Sequence, residues 1–120
     1  MDTNFPTILI AQGDTEIRVR LRDTLQQWGY LVLEAKDEAD ALDIVKMHSR
    51  HIHLMLAGGD VGWKTLATTL QLYRPRMHVL FVTRNPREGV SDLLAPDRAI
   101  ARVQELVVPP RSAAVRACHA

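Results

Sequence analysis

Apolar positions along this chain change period repeatedly, and each change marks a structural boundary. Ile8-Leu9-Ile10 is an unbroken apolar run closed by Gln12-Gly13-Asp14. Without the polar alternation of a half-solvated strand, it predicts a strand buried on both faces over Thr7-Ile8-Leu9-Ile10-Ala11. The period then lengthens: Ile17, Leu21, Leu25 and Trp28 form one stripe of an amphipathic helix. Asp14 or Thr15 caps its start and Gly29 stops it. A second strand follows over residues 30–33. Asp37, with Asp40 three positions on, predicts the cap of a helix running to about His48, with Ala41, Leu42 and Val45 facing inward. Residues 52–56 read as a third strand and residues 57–60 as a turn. A helix over 63–73 turns Leu66 and Leu70 inward and ends before Pro75. Residues 79–82 are the fourth strand and the most apolar run in the chain.

Beyond Thr83 the pattern shortens. Residues 84–89 are turn-like, and Leu93-Leu94 predicts a very short fifth strand. Pro96 and Asp97 suit the first turn of a last helix with Ile100, Val103 and Val107 on one face. Pro109-Pro110 closes it, dividing the chain into one domain over 1–108 and a tail or linker start over 109–120. Strands alternating with helices across short connections predict an α/β domain with a parallel sheet and helices on both faces. In such a sheet the functional crevice lies at the carboxyl ends of the strands. Here those ends are Gln12-Gly13, Ala57-Gly58 and Thr83-Arg84.

Composition narrows the function classes. A length of 120 residues suits one core. No apolar run reaches the ~18 residues of a bilayer span, so no membrane partner is expected. The lone Cys118 has no internal disulfide partner and suits a reducing cytoplasm. Charge is uneven: residues 1–60 carry 6 Lys/Arg and 10 Asp/Glu, and residues 61–120 carry 9 and 4. No basic run is interleaved with aromatics, so direct nucleic-acid binding is not expected. The chain holds no Ser-His-Asp motif, phosphate-binding glycine loop or dinucleotide fingerprint, and no cofactor is predicted.

Several stretches, in order, resemble the receiver domain of response regulators. Ile8-Leu9-Ile10 with Asp14, Ile17-Arg18, Leu21, Leu25 and Gly29-Tyr30 is similar to the receiver opening. Glu34-Ala35 and Ala41-Leu42 match the second strand end and second helix. Pro75 with Val79-Leu80-Phe81-Val82-Thr83 matches the fourth strand and its terminal threonine. The resemblance implies a CheY-like, flavodoxin-like fold: a five-stranded parallel sheet in the order 2-1-3-4-5. It also implies a phosphorylation pocket, and there the chain departs from the family. Gln12-Gly13 stand where the family has two carboxylates, Ala57 where it has the phosphorylated aspartate, and Ala95, before Pro96, where it has a lysine. Receiver chemistry holds Mg²⁺ with oxygen ligands while an aspartate takes the phosphoryl group. Of that constellation Asp14 and Thr83 remain, and no metal site is expected. Arg84 replaces a small residue beside the pocket. Thr83 to Ala95 spans 12 positions (95 − 83) where the family has about twenty, so the family's fourth helix is expected to be short or absent.

The remaining chemistry-bearing residues have ordinary readings. Asp60, three positions past Ala57, reads as a turn or cap residue, with a displaced phospho-acceptor as the alternative. His48, His51 and His53 read as surface histidines rather than a metal site. Trp28, Trp63 and Tyr73 read as packing residues. The expectation is a non-enzymatic pseudo-receiver acting through a protein partner or a second copy, without phosphorylation. The stripe Ile100, Val103 and Val107 is the candidate interface. The alternative is an atypical phospho-acceptor, or an anion or small-ligand sensor, using Asp14, Asp60, Thr83 and Arg84.

Overall fold

The computed structural model describes residues 6–58, 61–83 and 93–107. Its elements are β1 (Thr7–Ala11), α1 (Thr15–Gln27), β2 (Leu31–Ala35), α2 (Glu38–Met47), β3 (Leu54–Gly58), α3 (Val61–Tyr73), β4 (His78–Val82), β5 (Leu93–Leu94) and α4 (Pro96–Leu106). Four five-residue strands form the body of a parallel sheet in the order β2-β1-β3-β4. What was expected as a fifth strand is only a two-residue pairing, Phe81 with Leu93 and Val82 with Leu94, on the outer side of β4. Residues 84–92, where the shortened helix was expected, and the tail from 109 lie outside the described residues.

The period-2 geometry of the strands divides the core in two. Ile8, Ile10, Leu54, Leu56 and Val82 pack with Ile17, Leu21 and Leu25 of α1 and Ala99 and Val103 of α4. Leu9, Ala11, Met55 and Ala57 pack with Ala41 and Val45 of α2 and Ala67 and Leu70 of α3. β1 and β3 are buried along their whole length, as their continuous apolar runs demand. Each fully buried Leu or Ile side chain contributes about 1.5–3 kcal/mol.

Helix ends follow local rules. Asp14, not Thr15, caps α1: its Oδ1 accepts the Ile17 N–H at 3.2 Å. Asp37 caps α2 by accepting the Asp40 N–H at 2.9 Å. Gly29 takes φ 95° after α1, a conformation that glycine adopts at no steric cost. Ala95 precedes Pro96, is extended (φ −68°, ψ 157°) and caps α4 without a side-chain bond.

Several boundaries differ from the sequence reading: β2 covers Leu31–Ala35 rather than 30–33, β3 covers Leu54–Gly58 rather than 52–56, and α3 begins at Val61 rather than at 63. β3 continues through Ala57 and Gly58 because Ala57 pairs with Ala11 and Phe81, and Gly58 with Val82. The expected turn therefore does not begin at Ala57, and its last two residues, 59 and 60, lie outside the described residues. The stripe Ile100, Val103 and Val107 is not an open interface. Val103 and Val107 are buried in the core beneath α4, and Ile100 is half-buried against it. α4 packs against the flank of the sheet beside α1, and that packing covers most of the stripe.

Candidate functional site

The topology brings Gln12, Ala57, Thr83 and Ala95 to one edge of the sheet, each at or just past the carboxyl end of its strand. The parallel pairing of Ala11 with Ala57 and of Gly58 with Val82 sets β1, β3 and β4 level there. The Thr83 N–H donates to the Leu94 carbonyl at 2.9 Å, fixing the end of β4 beside Ala95.

Gln12 is the organising residue of this edge. It is only 6% exposed. Its Nε2 donates to the Val82 carbonyl at 3.4 Å, and its Oε1 accepts the Asp14 N–H at 3.1 Å. Because β3 lies between β1 and β4, the amide reaches across the end of β3 and ties its two neighbours together. Its backbone is held too: the N–H donates to Ala35 at 3.1 Å and the carbonyl accepts Arg18 Nη1 at 3.0 Å. Burial makes these bonds matter, since an orphaned buried donor or acceptor costs about 1–3 kcal/mol.

At the end of β3 Ala57 is 0% exposed and belongs to the apolar cluster of the α2/α3 face, with Phe81 packed against that cluster. Gly13 is exposed, has no positive φ, and a Cβ there would meet only the Lys36 carbonyl at 3.8 Å. Nothing in the backbone therefore requires glycine at that position. Asp14 serves the α1 terminus as described. Glu34, at the end of β2, lies between two guanidinium groups, Arg18 Nε and Arg22 Nη1, each at 3.5 Å. Asp60 and Arg84 lie outside the described residues, and Trp63 is within α3 with its side chain outside them.

The histidines are not three equivalent surface groups. His53 is half-buried; its Nδ1 accepts the Thr7 N–H at 3.0 Å and its ring meets His51 edge-on at 4.4 Å. Burial, then the neighbouring His51, holds its pKa below the ordinary value of 6.5. His48 is lowered by burial and by Arg74 and Arg50. Its Nε2 is buried without a hydrogen-bond partner. No group of three or more His, Cys, Asp or Glu among the described residues is arranged to hold a metal ion.

Sequence reasoning missed several anchors because their partners are remote in the chain. Arg74 donates to the carbonyls of Val45 (2.9 Å), Arg50 (2.8 Å) and His48 (2.5 Å), satisfying the end of α2 from across α3. The Tyr30 hydroxyl donates to the Val107 carbonyl and locks the end of α4 to the start of β2. Burial pushes its pKa up to about 12. Tyr73 is no packing residue: it is 53% exposed, with Lys46 Nζ 5.7 Å from its ring centre. Trp28 does pack against the core.

No family model matches the sequence, and no curated protein matches it. Solved structures do match. A response regulator from Thermotoga maritima aligns with a TM-score of 0.73 at 15% identity, over 87% of this chain and 98% of that one. A CheY-like receiver domain protein from Methanospirillum hungatei aligns at 0.69 and 21% identity, over 85% and 93%. The fold is that of a receiver domain. A third structure with this fold is the response regulator TrrA from Thermotoga maritima in complex with Mg²⁺–BeF, at a TM-score of 0.67 and 20% identity, over 86% and 100%. Among the described residues no helix is long and apolar enough to cross a membrane.

Proposed function

We propose that this chain is a pseudo-receiver: a non-enzymatic regulatory module, in two-component signalling or transcriptional control, that acts through protein contacts without phosphorylation. The observation that carries this reading is the edge built by Gln12 and Ala57. Ala57 places a fully buried methyl group at the end of β3, and at the end of β1 the Gln12 amide engages Val82 and Asp14. An in-line phosphoryl transfer needs a nucleophilic oxygen and a divalent cation held by several oxygens. Ala57 offers no oxygen. Asp14 caps a helix, and Glu34 is compensated by Arg18 and Arg22.

The receiver fold supports the signalling setting, and the cytoplasm suits a chain of this kind. No resident metal or cofactor enters the proposal. The Gln12 amide instead joins the ends of β1 and β4. On this reading output depends on which surface the domain presents.

The direct test is incubation with acetyl phosphate and Mg²⁺ followed by intact-mass measurement. The expected result is unmodified protein under conditions that phosphorylate a working receiver. An adduct mapped to Asp60 or Asp14 would replace the pseudo-receiver by the phospho-acceptor alternative.

A further inference from the structure

In a parallel α/β sheet every strand begins at the pole where every helix ends. Between residues 44 and 58, and again between 61 and 83, the sequence contains no Asp or Glu, but it contains Lys46, Arg50, Lys64, Arg74, Arg76 and four of the chain's five histidines. The fold gathers most of these at one place. His53 and His78 are joined where β3 and β4 begin, the His78 N–H donating to the His53 carbonyl at 3.0 Å. His51 adjoins His53. Arg74, at the end of α3, binds the Arg50 and His48 carbonyls beyond the end of α2, and its own carbonyl accepts the Met77 N–H. Lys46 sits over Tyr73.

Arg74 is committed to the backbone, but Lys46, Arg50, His51, Arg76 and His78 are exposed. Among the described residues Lys46, Arg50 and Arg76 make no ion pair. Apolar surface lies in the same place. Met47 is 81% exposed at the end of α2 and Leu72 79% exposed beside Tyr73 at the end of α3. Met, Tyr and Arg are the residue types enriched where proteins dock.

We infer that this amino-terminal pole is a docking surface for a foreign protein segment that carries clustered carboxylates around apolar side chains. Charge complementarity selects the acidic partner, and exposed Met47, Leu72 and Tyr73 favour a protein over a nucleic acid. A second copy fits less well. Two of the carboxylates at this chain's opposite pole are already engaged, Glu34 by Arg18 and Arg22 and Asp97 by Arg20 at 2.6 Å. A two-fold contact through this pole would set Lys46, Arg50 and Arg76 against the same cations of the second copy, and a head-to-tail contact would build rings or open filaments. The inference names a partner surface away from the phosphorylation edge, so it stands or falls separately from the chemistry of that edge.

The test is an amide NMR titration of the whole chain with a soluble peptide that alternates glutamate with leucine and phenylalanine. A lysine-for-glutamate version of the peptide and a short DNA duplex serve as comparisons. The expected result is saturable shifts at Lys46, Met47, His51, Leu72, Tyr73 and Arg76. Binding should weaken about fivefold in a chain carrying both Arg50→Glu and Arg76→Glu. It should also weaken on raising salt from about 50 to about 300 mM. Leu72→Ser supplies a second variant that leaves every cation in place, and it too should weaken binding. Equal binding of the two peptides, shifts confined to Gln12 and Thr83, or tighter binding of DNA would each overturn the proposal.

Discussion

At the carboxyl ends of the strands Gln12, Asp14 and Glu34 are held by hydrogen bonds and ion pairs; at the amino ends Arg74, His53 and Tyr30 are held, but a group of cations and apolar side chains faces solvent. Gln12 satisfies Val82 and Asp14, Asp14 caps α1, and Glu34 lies between Arg18 and Arg22. At the other pole Lys46, Arg50, His51, Arg76 and His78 surround exposed Met47, Leu72 and Tyr73. In this fold the first edge is the expected place for chemistry, because strand ends and helix N-termini converge there. On the proposed reading that edge is structural, and the surface suited to recognition is at the far pole. The lesson is that a fold marks where a site is favoured, while the side chains decide whether one exists.

Substitutions can break this contrast, and the largest effect belongs to Ala57→Asp. Restoring a carboxylate at a position of 0% exposure buries a charge against Ala11 and Phe81. It should cost about 3 kcal/mol or more in urea unfolding, and a loss under about 1 kcal/mol would mean that the edge opens readily. Gln12→Ala comes next. Leaving the Val82 carbonyl and the Asp14 N–H without their partner should lower stability by about 1–2 kcal/mol. Tyr30→Phe, which strips the Val107 carbonyl at the other pole, should cost a similar amount, about 1–2 kcal/mol. A neutral Gln12→Ala would show that the clasp is incidental.

Acid should act on the amino-terminal pole. His48 and His53 have pKa values below 6.5 in the folded protein, so the unfolded chain binds more protons in the window just below 6.5. Their contribution to stability is complete above about pH 6.5 and is lost as pH falls through the folded values. Unfolding at a series of pH values should show the decline, and His53→Gln should reduce its slope. An unchanged slope would remove His53 from the account. The smallest effect is expected at Gly13→Asp. With ordinary clearance to the Lys36 carbonyl and no positive φ, stability should stay within about 0.5 kcal/mol. Of these two positions, then, position 13 is expected to tolerate a carboxylate and position 57 to resist one.

Much of the fold was legible because buried strands and amphipathic helices leave local periodicities. Ile8-Leu9-Ile10, the stripe Ile17-Leu21-Leu25 and the caps Asp14 and Asp37 needed no knowledge of distant residues. The site was half legible. The resemblance to receiver domains marks Gln12, Ala57, Thr83 and Ala95, but not the use of the Gln12 amide, since its acceptor Val82 is 70 positions away. Arg74, bound to carbonyls up to 29 positions away, was hidden for the same reason. The stripe on α4 was misread because periodicity identifies an apolar face without saying what covers it. Tyr73 was misread in the opposite sense, as an aromatic at helical spacing that the core does not reach.

The most direct measurement is an amide NMR titration with Mg²⁺ followed by beryllofluoride, with TrrA as the responding control. The account predicts that the amides of Gln12, Gly13, Ala57, Gly58 and Thr83 stay in place while those of TrrA move. Saturable shifts at these positions would contradict it, and would make this edge a working phosphoryl-binding switch.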